Sequence, residues 1–100
     1  MTALQQTLYL VVTKPVLTLY VTNDCSSCTR TEEVLRACAE IMSLVRLEVI
    51  LLGAEGTDQP ATVIGAPTLM FQRKVVALGT PDCDQLVVRI RDSFPVDVLN

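Results

Sequence analysis

The chain has 100 residues and a mass of 10.9 kDa, enough for one domain around one core. It is 50% hydrophobic and 19% charged, which excludes a disordered, charge-rich segment, and its net charge of −3 excludes the basic stripe that a nucleic-acid module needs. Histidine is absent, so His-based general acid–base work and His metal ligands are removed, and four Cys, eleven carboxylates, eight cations and two Tyr remain for chemistry.

The first element in chain order is Thr7–Thr13, which reads as an edge strand or a kinked extension. The link at Lys14-Pro15 is too short for a parallel crossover. The apolar runs Leu8–Val12 and Val49–Leu52 fall far short of the ~20 residues of a membrane span. Met1–Gln6 carries no Lys or Arg, and no small-residue cleavage site follows, so no signal peptide is expected. The expectation is a cytoplasmic protein, where thiols are kept reduced and a close Cys pair points to catalysis or metal binding.

Val16–Val21 is short, β-branched and bounded by Pro15 and Asn23-Asp24, which predicts a buried strand. Leu35, Cys38, Met42 and Val45 then recur at three- and four-residue steps, with Cys28 two turns earlier. That spacing predicts one long helix with one buried face. Arg46–Leu52 predicts a second strand, and its continuous apolar end predicts cover on both faces. Gly53–Ala66 reads as loop with one helical turn from Pro60. Thr68–Gln72 and Val75–Leu78 read as a hairpin turning at Arg73-Lys74. Thr80-Pro81-Asp82 predicts the start of a last helix capped by the Thr80 hydroxyl, with Leu86, Ile90 and Phe94 buried and Pro95 past its end. The order is β-α-β-loop-β-β-α, an α/β chain whose first two strands are parallel and whose last two are antiparallel.

The informative feature is Cys25-Ser-Ser-Cys28, between the first strand and the first helix. A helix N-terminus offers unsatisfied N–H groups and a positive dipole end, so Cys25 is expected to ionise readily and act as the nucleophile. Cys28 lies about one turn further and faces inwards, placed to attack a mixed disulfide on Cys25. Asp24 works against this, since a neighbouring carboxylate disfavours a thiolate. Thr29-Arg-Thr-Glu32 also fits a capping box, and a helix starting there would leave the Cys pair in a loop. Two alternatives stand beside redox chemistry: an inert pair in an interaction domain, and a metal or iron–sulfur site completed by Cys38 and Cys83 or carboxylates. Cys38 reads as a small core residue, and Cys83 as a semi-exposed inert thiol or a third redox thiol. Arg30 is placed to help the Cys25 thiolate, or simply belongs to a solvated face.

The stretch Leu19–Cys28, the Ile64-Gly-Ala-Pro-Thr68 segment and the hairpin followed by Gly79 together resemble the thioredoxin/glutaredoxin superfamily, in particular its small bacterial glutaredoxin-like or thioredoxin-like members. The resemblance runs from Val16 to Phe94. It implies a thioredoxin-like (glutaredoxin-like) fold over a single domain, residues 1–100 with a core at 16–94. The fold would be a central mixed four-stranded sheet flanked by helices, with a shortened middle helix and an extra N-terminal segment. It implies a thiol–disulfide oxidoreductase with Cys25 attacking and Cys28 resolving. It also implies a cis Ala66–Pro67 peptide facing that pair and backbone pairing of Ala66 with an extended substrate. Asp84 matches an acidic position of the glutaredoxin Gly-Gly-x-Asp-Asp-Leu loop and is implied to bind substrate. No cofactor or metal is expected; the implied partners are protein disulfides, or glutathione, and not nucleic acid or membrane. The chain departs from the pattern at Asp24 (Trp in thioredoxins), Ser26-Ser27 (Gly-Pro), Leu19 (a buried Asp) and Thr22 (the glutathione-binding Lys of glutaredoxins).

Overall fold

A computed structural model of the chain describes residues 14–53, 60, 62, 63 and 65–94. Four strands, β1 (Val16–Val21), β2 (Arg46–Leu51), β3 (Thr68–Phe71) and β4 (Lys74–Leu78), form one sheet in the order β2-β1-β3-β4. The helices are α1 (Ser26–Ala37), α2 (Ala39–Leu44) and α3 (Cys83–Asp92). β1 and β2 run parallel, with Val16 opposite Arg46 and Val21 opposite Leu51. β3–β4 is antiparallel, as the hairpin connection requires, and β3 also pairs antiparallel with β1. The expectations for Thr7–Thr13, the extra N-terminal segment and Pro95 lie outside the described residues, as does most of the predicted Gly53–Ala66 loop with its shortened helix.

The side-chain period of two divides the strands between two clusters. Leu17 and Leu19 of β1, with Leu69 and Phe71 of β3, pack with Leu35, Ile41, Val45, Leu86 and Ile90 of the helical layer. Phe71 also stacks on Phe94, with ring centroids 5.6 Å apart. On the other face Tyr20 packs with Val63 and Met70. β1 and β3 are therefore the buried centre of the sheet.

Four features differ from the sequence-based expectations. First, the long helix is broken. Cys38 takes an extended conformation (φ −85°, ψ 91°), its N–H closes α1 on the Leu35 carbonyl at 3.1 Å, and its own carbonyl accepts from Met42 N to begin α2. The apolar face survives the break, since Leu35, Cys38, Ile41 and Val45 all stay in one cluster. Second, β2 is an edge strand among the described residues. Val49 and Leu51 are exposed there, because an edge position gives an apolar run cover from one neighbour only. Third, the hairpin turns at Gln72-Arg73, one residue early. Both have positive φ (54° and 66°), the pairing that a two-residue turn with the strands' own twist demands. Fourth, α3 begins at Cys83. Asp82 is its cap, its carboxylate accepting from Gln85 N at 3.1 Å, while the Thr80 hydroxyl is engaged elsewhere.

Cys38 and Cys83 are bonded to one another, 45 residues apart. Cys38 lies in the core, as its reading as a small core residue expects, but it is bonded, and the bond corrects the inert-thiol reading at Cys83. The break in the helix puts Cys38 at the end of α1, and the late start of α3 puts Cys83 beside it, with Cα atoms 6.0 Å apart. Among the described residues no helix is long and apolar enough to cross a membrane.

Candidate active site

The site forms where central strand β1 gives way to α1. After Val21 the chain turns through Asp24, whose φ of 54° is left-handed, a region that Asp tolerates better than most residues. Cys25 follows in extended conformation (φ −113°, ψ 99°) and is the cap of α1. Its sulfur accepts the Cys28 N–H at 3.1 Å, one of the donors that the first turn leaves without a helical partner. The Ser27 hydroxyl lies 3.6 Å from the same sulfur. Thr29 turns inwards on the backbone instead of starting the helix: its N–H and its hydroxyl both donate to the Cys25 carbonyl, at 3.2 and 3.4 Å. The capping-box start at Thr29 is therefore not the one adopted, and the Cys pair stands on the helix terminus.

Cys25 and Cys28 form a disulfide, with Cα atoms 5.2 Å apart. The two sulfurs are not equivalent. Cys25 is half-buried beside exposed Asp24 and Ser26, whereas Cys28 is 4% exposed. An open cleft of about 640 Å³ lies against the pair, lined by Val21, Thr22, Asp24, Cys25 and, from the edge strand, Leu51. Its charged lining is Asp24 and Glu32, and Glu32 is paired with Arg36 at 2.9 Å.

The Ala66–Pro67 peptide is cis. Thr68 pairs with Tyr20, so Pro67 enters β3 at the end of the sheet where β1 leaves it towards Cys25. Pro67 is buried, and its carbonyl accepts from Gly79 N at 3.0 Å. Neither Ala66 nor Pro67 lines the cleft, which opens on the β2 side of the Cys pair. Asp84 is exposed as the second residue of α3 and does not line it either. The Cys38–Cys83 bond joins the start of α3 to the far end of α1, about 15 Å along the axis from Cys28 at 1.5 Å per residue. Leu19 is fully buried in apolar surroundings. Among the described residues no group of three or more Cys, Asp or Glu is placed to hold a metal ion, since the cysteines are divided into two separate pairs.

One buried polar contact behind the Cys pair escapes the sequence reading. Thr31 is fully buried on α1, its hydroxyl 2.8 Å from the Ser27 carbonyl and 3.0 Å from the Thr80 hydroxyl. The signal was available in part: Thr31 falls between Cys28 and Leu35 on the inward stripe, where a polar residue requires a partner. Its partner, 49 residues away, was not readable.

A parallel pair of strands, an antiparallel hairpin on the other flank of β1 and a disulfide-bearing helix leaving β1 together define a thioredoxin-like fold. The crystal structure of thioredoxin from Aeropyrum pernix is similar to it, with a TM-score of 0.58 over 89% of this chain and 82% of that one. The two sequences are 16% identical, so the likeness is one of fold. No protein-family model matches the chain, and no curated protein sequence matches it.

Proposed function

We propose that this protein is a thiol–disulfide oxidoreductase acting on protein disulfides. The observation that carries the reading is the contact between Cys28 N–H and the Cys25 sulfur at 3.1 Å, on a helix terminus and with the second sulfur buried. A donor aimed at the outer sulfur favours negative charge there once the pair is reduced. In the reduced protein the Cys25 thiolate attacks one sulfur of a substrate disulfide. A Cys25–substrate bond forms, the substrate S–S bond breaks, and the released thiolate takes up a proton. Cys28 then loses its proton and attacks the Cys25 sulfur, forming the internal disulfide and releasing the second substrate thiolate. Two electrons pass from the dithiol to the substrate, and the reverse sequence oxidises a substrate dithiol.

In this reading Ala66 and Pro67 receive an extended stretch of substrate along the backbone. Their place at the Cys25 end of the sheet supports it. Asp84 enters from the resemblance alone, as a contact for substrate or for glutathione. Glutathione is the weaker of the two partners, because Thr22 stands where the resemblance calls for a lysine and the cleft's charged lining holds carboxylates. The cytoplasmic expectation rests on the sequence, and the Cys38–Cys83 disulfide weighs towards an oxidising compartment instead.

The test is reduction of insulin disulfides by the dithiothreitol-charged protein, beside Cys25→Ser. Catalysis above free dithiothreitol that vanishes in the variant is the expected result. Equal rates for protein and free reagent would replace this reading with a redox-inactive interaction domain.

A further inference from the structure

Thr31 has a hydroxyl but no exposed surface, and it sits on the helix that carries the Cys pair. A buried hydroxyl is costly unless it is bonded. Its bonds lead in two directions: to the Ser27 carbonyl, inside the Cys25–Cys28 turn, and to the Thr80 hydroxyl. Thr80 in turn lies in a short segment with two other anchors. Gly79 N donates to the Pro67 carbonyl, and Cys83 is bonded to Cys38. The segment 79–83 thus grips the Pro67 peptide at one end and α1 at two points. Thr80 itself is exposed, so packing alone does not call for its hydroxyl.

We propose that Thr80 is a positioning residue: through Thr31 it holds the Pro67 segment in register with Cys25, and so sets affinity for a polypeptide disulfide and not the rate of thiol exchange. The chain of contacts runs from the Ser27 carbonyl through Thr31 and Thr80 to Gly79 and the Pro67 carbonyl. Cys38–Cys83 is its covalent clasp, limiting how far the segment can move when the hydrogen bond opens. A small disulfide that reaches Cys25 without lying along Pro67 would not sense the contact. The inference rests on the oxidoreductase reading above.

The experiment compares the full chain with Thr80→Ala and Thr80→Ser, using insulin as the polypeptide substrate and 5,5′-dithiobis(2-nitrobenzoic acid) as the small one. Thr80→Ala should raise KM for insulin about two- to tenfold, the range of one lost hydrogen bond. Its kcat, and its rate with the small disulfide, should stay within about twofold, because a positioning contact outside the reacting atoms leaves exchange itself untouched. Thr80→Ser keeps the hydroxyl and should restore the insulin KM. An unchanged KM in Thr80→Ala, no rescue by Ser, or an equal loss with both substrates overturns the proposal. A wild-type protein that reduces neither substrate overturns the oxidoreductase reading and this inference with it. An active wild type with an unaffected Thr80→Ala overturns this inference alone.

Discussion

Cys38 ends one helix and Cys83 begins another, and a disulfide joins them across 45 residues. The bond links the end of α1 to the start of α3, at the opposite end of α1 from Cys25–Cys28. The chain thus carries one disulfide at a helix terminus facing a cleft and another between two helices, with Cys38 only 5% exposed.

Removing the second bond should cost stability. A closed loop of 45 residues contributes about 4 kcal/mol on the chain-entropy estimate. The Cys38→Ala/Cys83→Ala double variant should lose that amount of unfolding free energy in urea, with a steeper dependence on denaturant because its unfolded chain is no longer cross-linked. A shift under about 1 kcal/mol would contradict the chain-entropy estimate for this bond.

The two disulfides should differ in ease of reduction. Each bond joins a buried sulfur (Cys28, 4% exposed; Cys38, 5%) to a half-buried one (Cys25; Cys83), but it is Cys25 and Cys28 that line the open cleft. Graded dithiothreitol followed by alkylation and mass mapping should label Cys25 and Cys28 well before Cys38 and Cys83. Simultaneous labelling would show that the cleft gives the first bond no advantage.

Cys25 and Cys28 should fail in different ways. With Cys28→Ser, attack on a substrate proceeds but resolution does not, so a covalent adduct on Cys25 accumulates and is visible by mass. With Cys25→Ser no adduct should form, because Cys28 is buried. Adducts of equal yield in both variants would contradict the assigned order of attack.

Asp24 should restrain the nucleophile. It is exposed and adjacent to Cys25, and its charge opposes a thiolate. In reduced Cys28→Ser protein, the alkylation rate of Cys25 against pH should have its midpoint below the free-thiol value of about 8.5. Adding Asp24→Asn should move that midpoint lower still, by less than about one unit since Asp24 is solvated. A midpoint at or above the free-thiol value would remove the case for a primed nucleophile.

Leu69 is fully buried in the central strand β3, at the contact between sheet and helices. Leu69→Ala should destabilise by about 2–5 kcal/mol. Leu78→Ser, on a residue 69% exposed, should stay within about 0.5 kcal/mol. Comparable losses at both positions would contradict the placement of the core.

Features that depend on neighbours along the chain are legible in the residues themselves. A β-branched run between Pro15 and Asn23 makes a strand, and two cysteines three apart at a helix start necessarily share one turn. The connections make β1 and β2 a parallel pair and β3 and β4 an antiparallel one, whereas the pairing of β3 with β1 is a long-range choice. Even the inward stripe of α1 and α2 was legible, since Leu35, Cys38 and Val45 are buried as their spacing requires. Features whose partner lies far away in the chain are settled by packing instead. The four cysteines allow several pairings, and nothing local selects Cys83 as the partner of Cys38. The helix break at Cys38 interrupts a pattern that could continue. Val49 and Leu51 of β2 are exposed because, among the described residues, the strand lies at the sheet edge, which its own residues do not encode. Thr80 has the chemistry of a helix cap, yet its hydroxyl meets Thr31 and Asp82 caps the helix in its stead. Local spacing sets which groups a residue can offer; the contacts that satisfy them are chosen by how the whole chain packs.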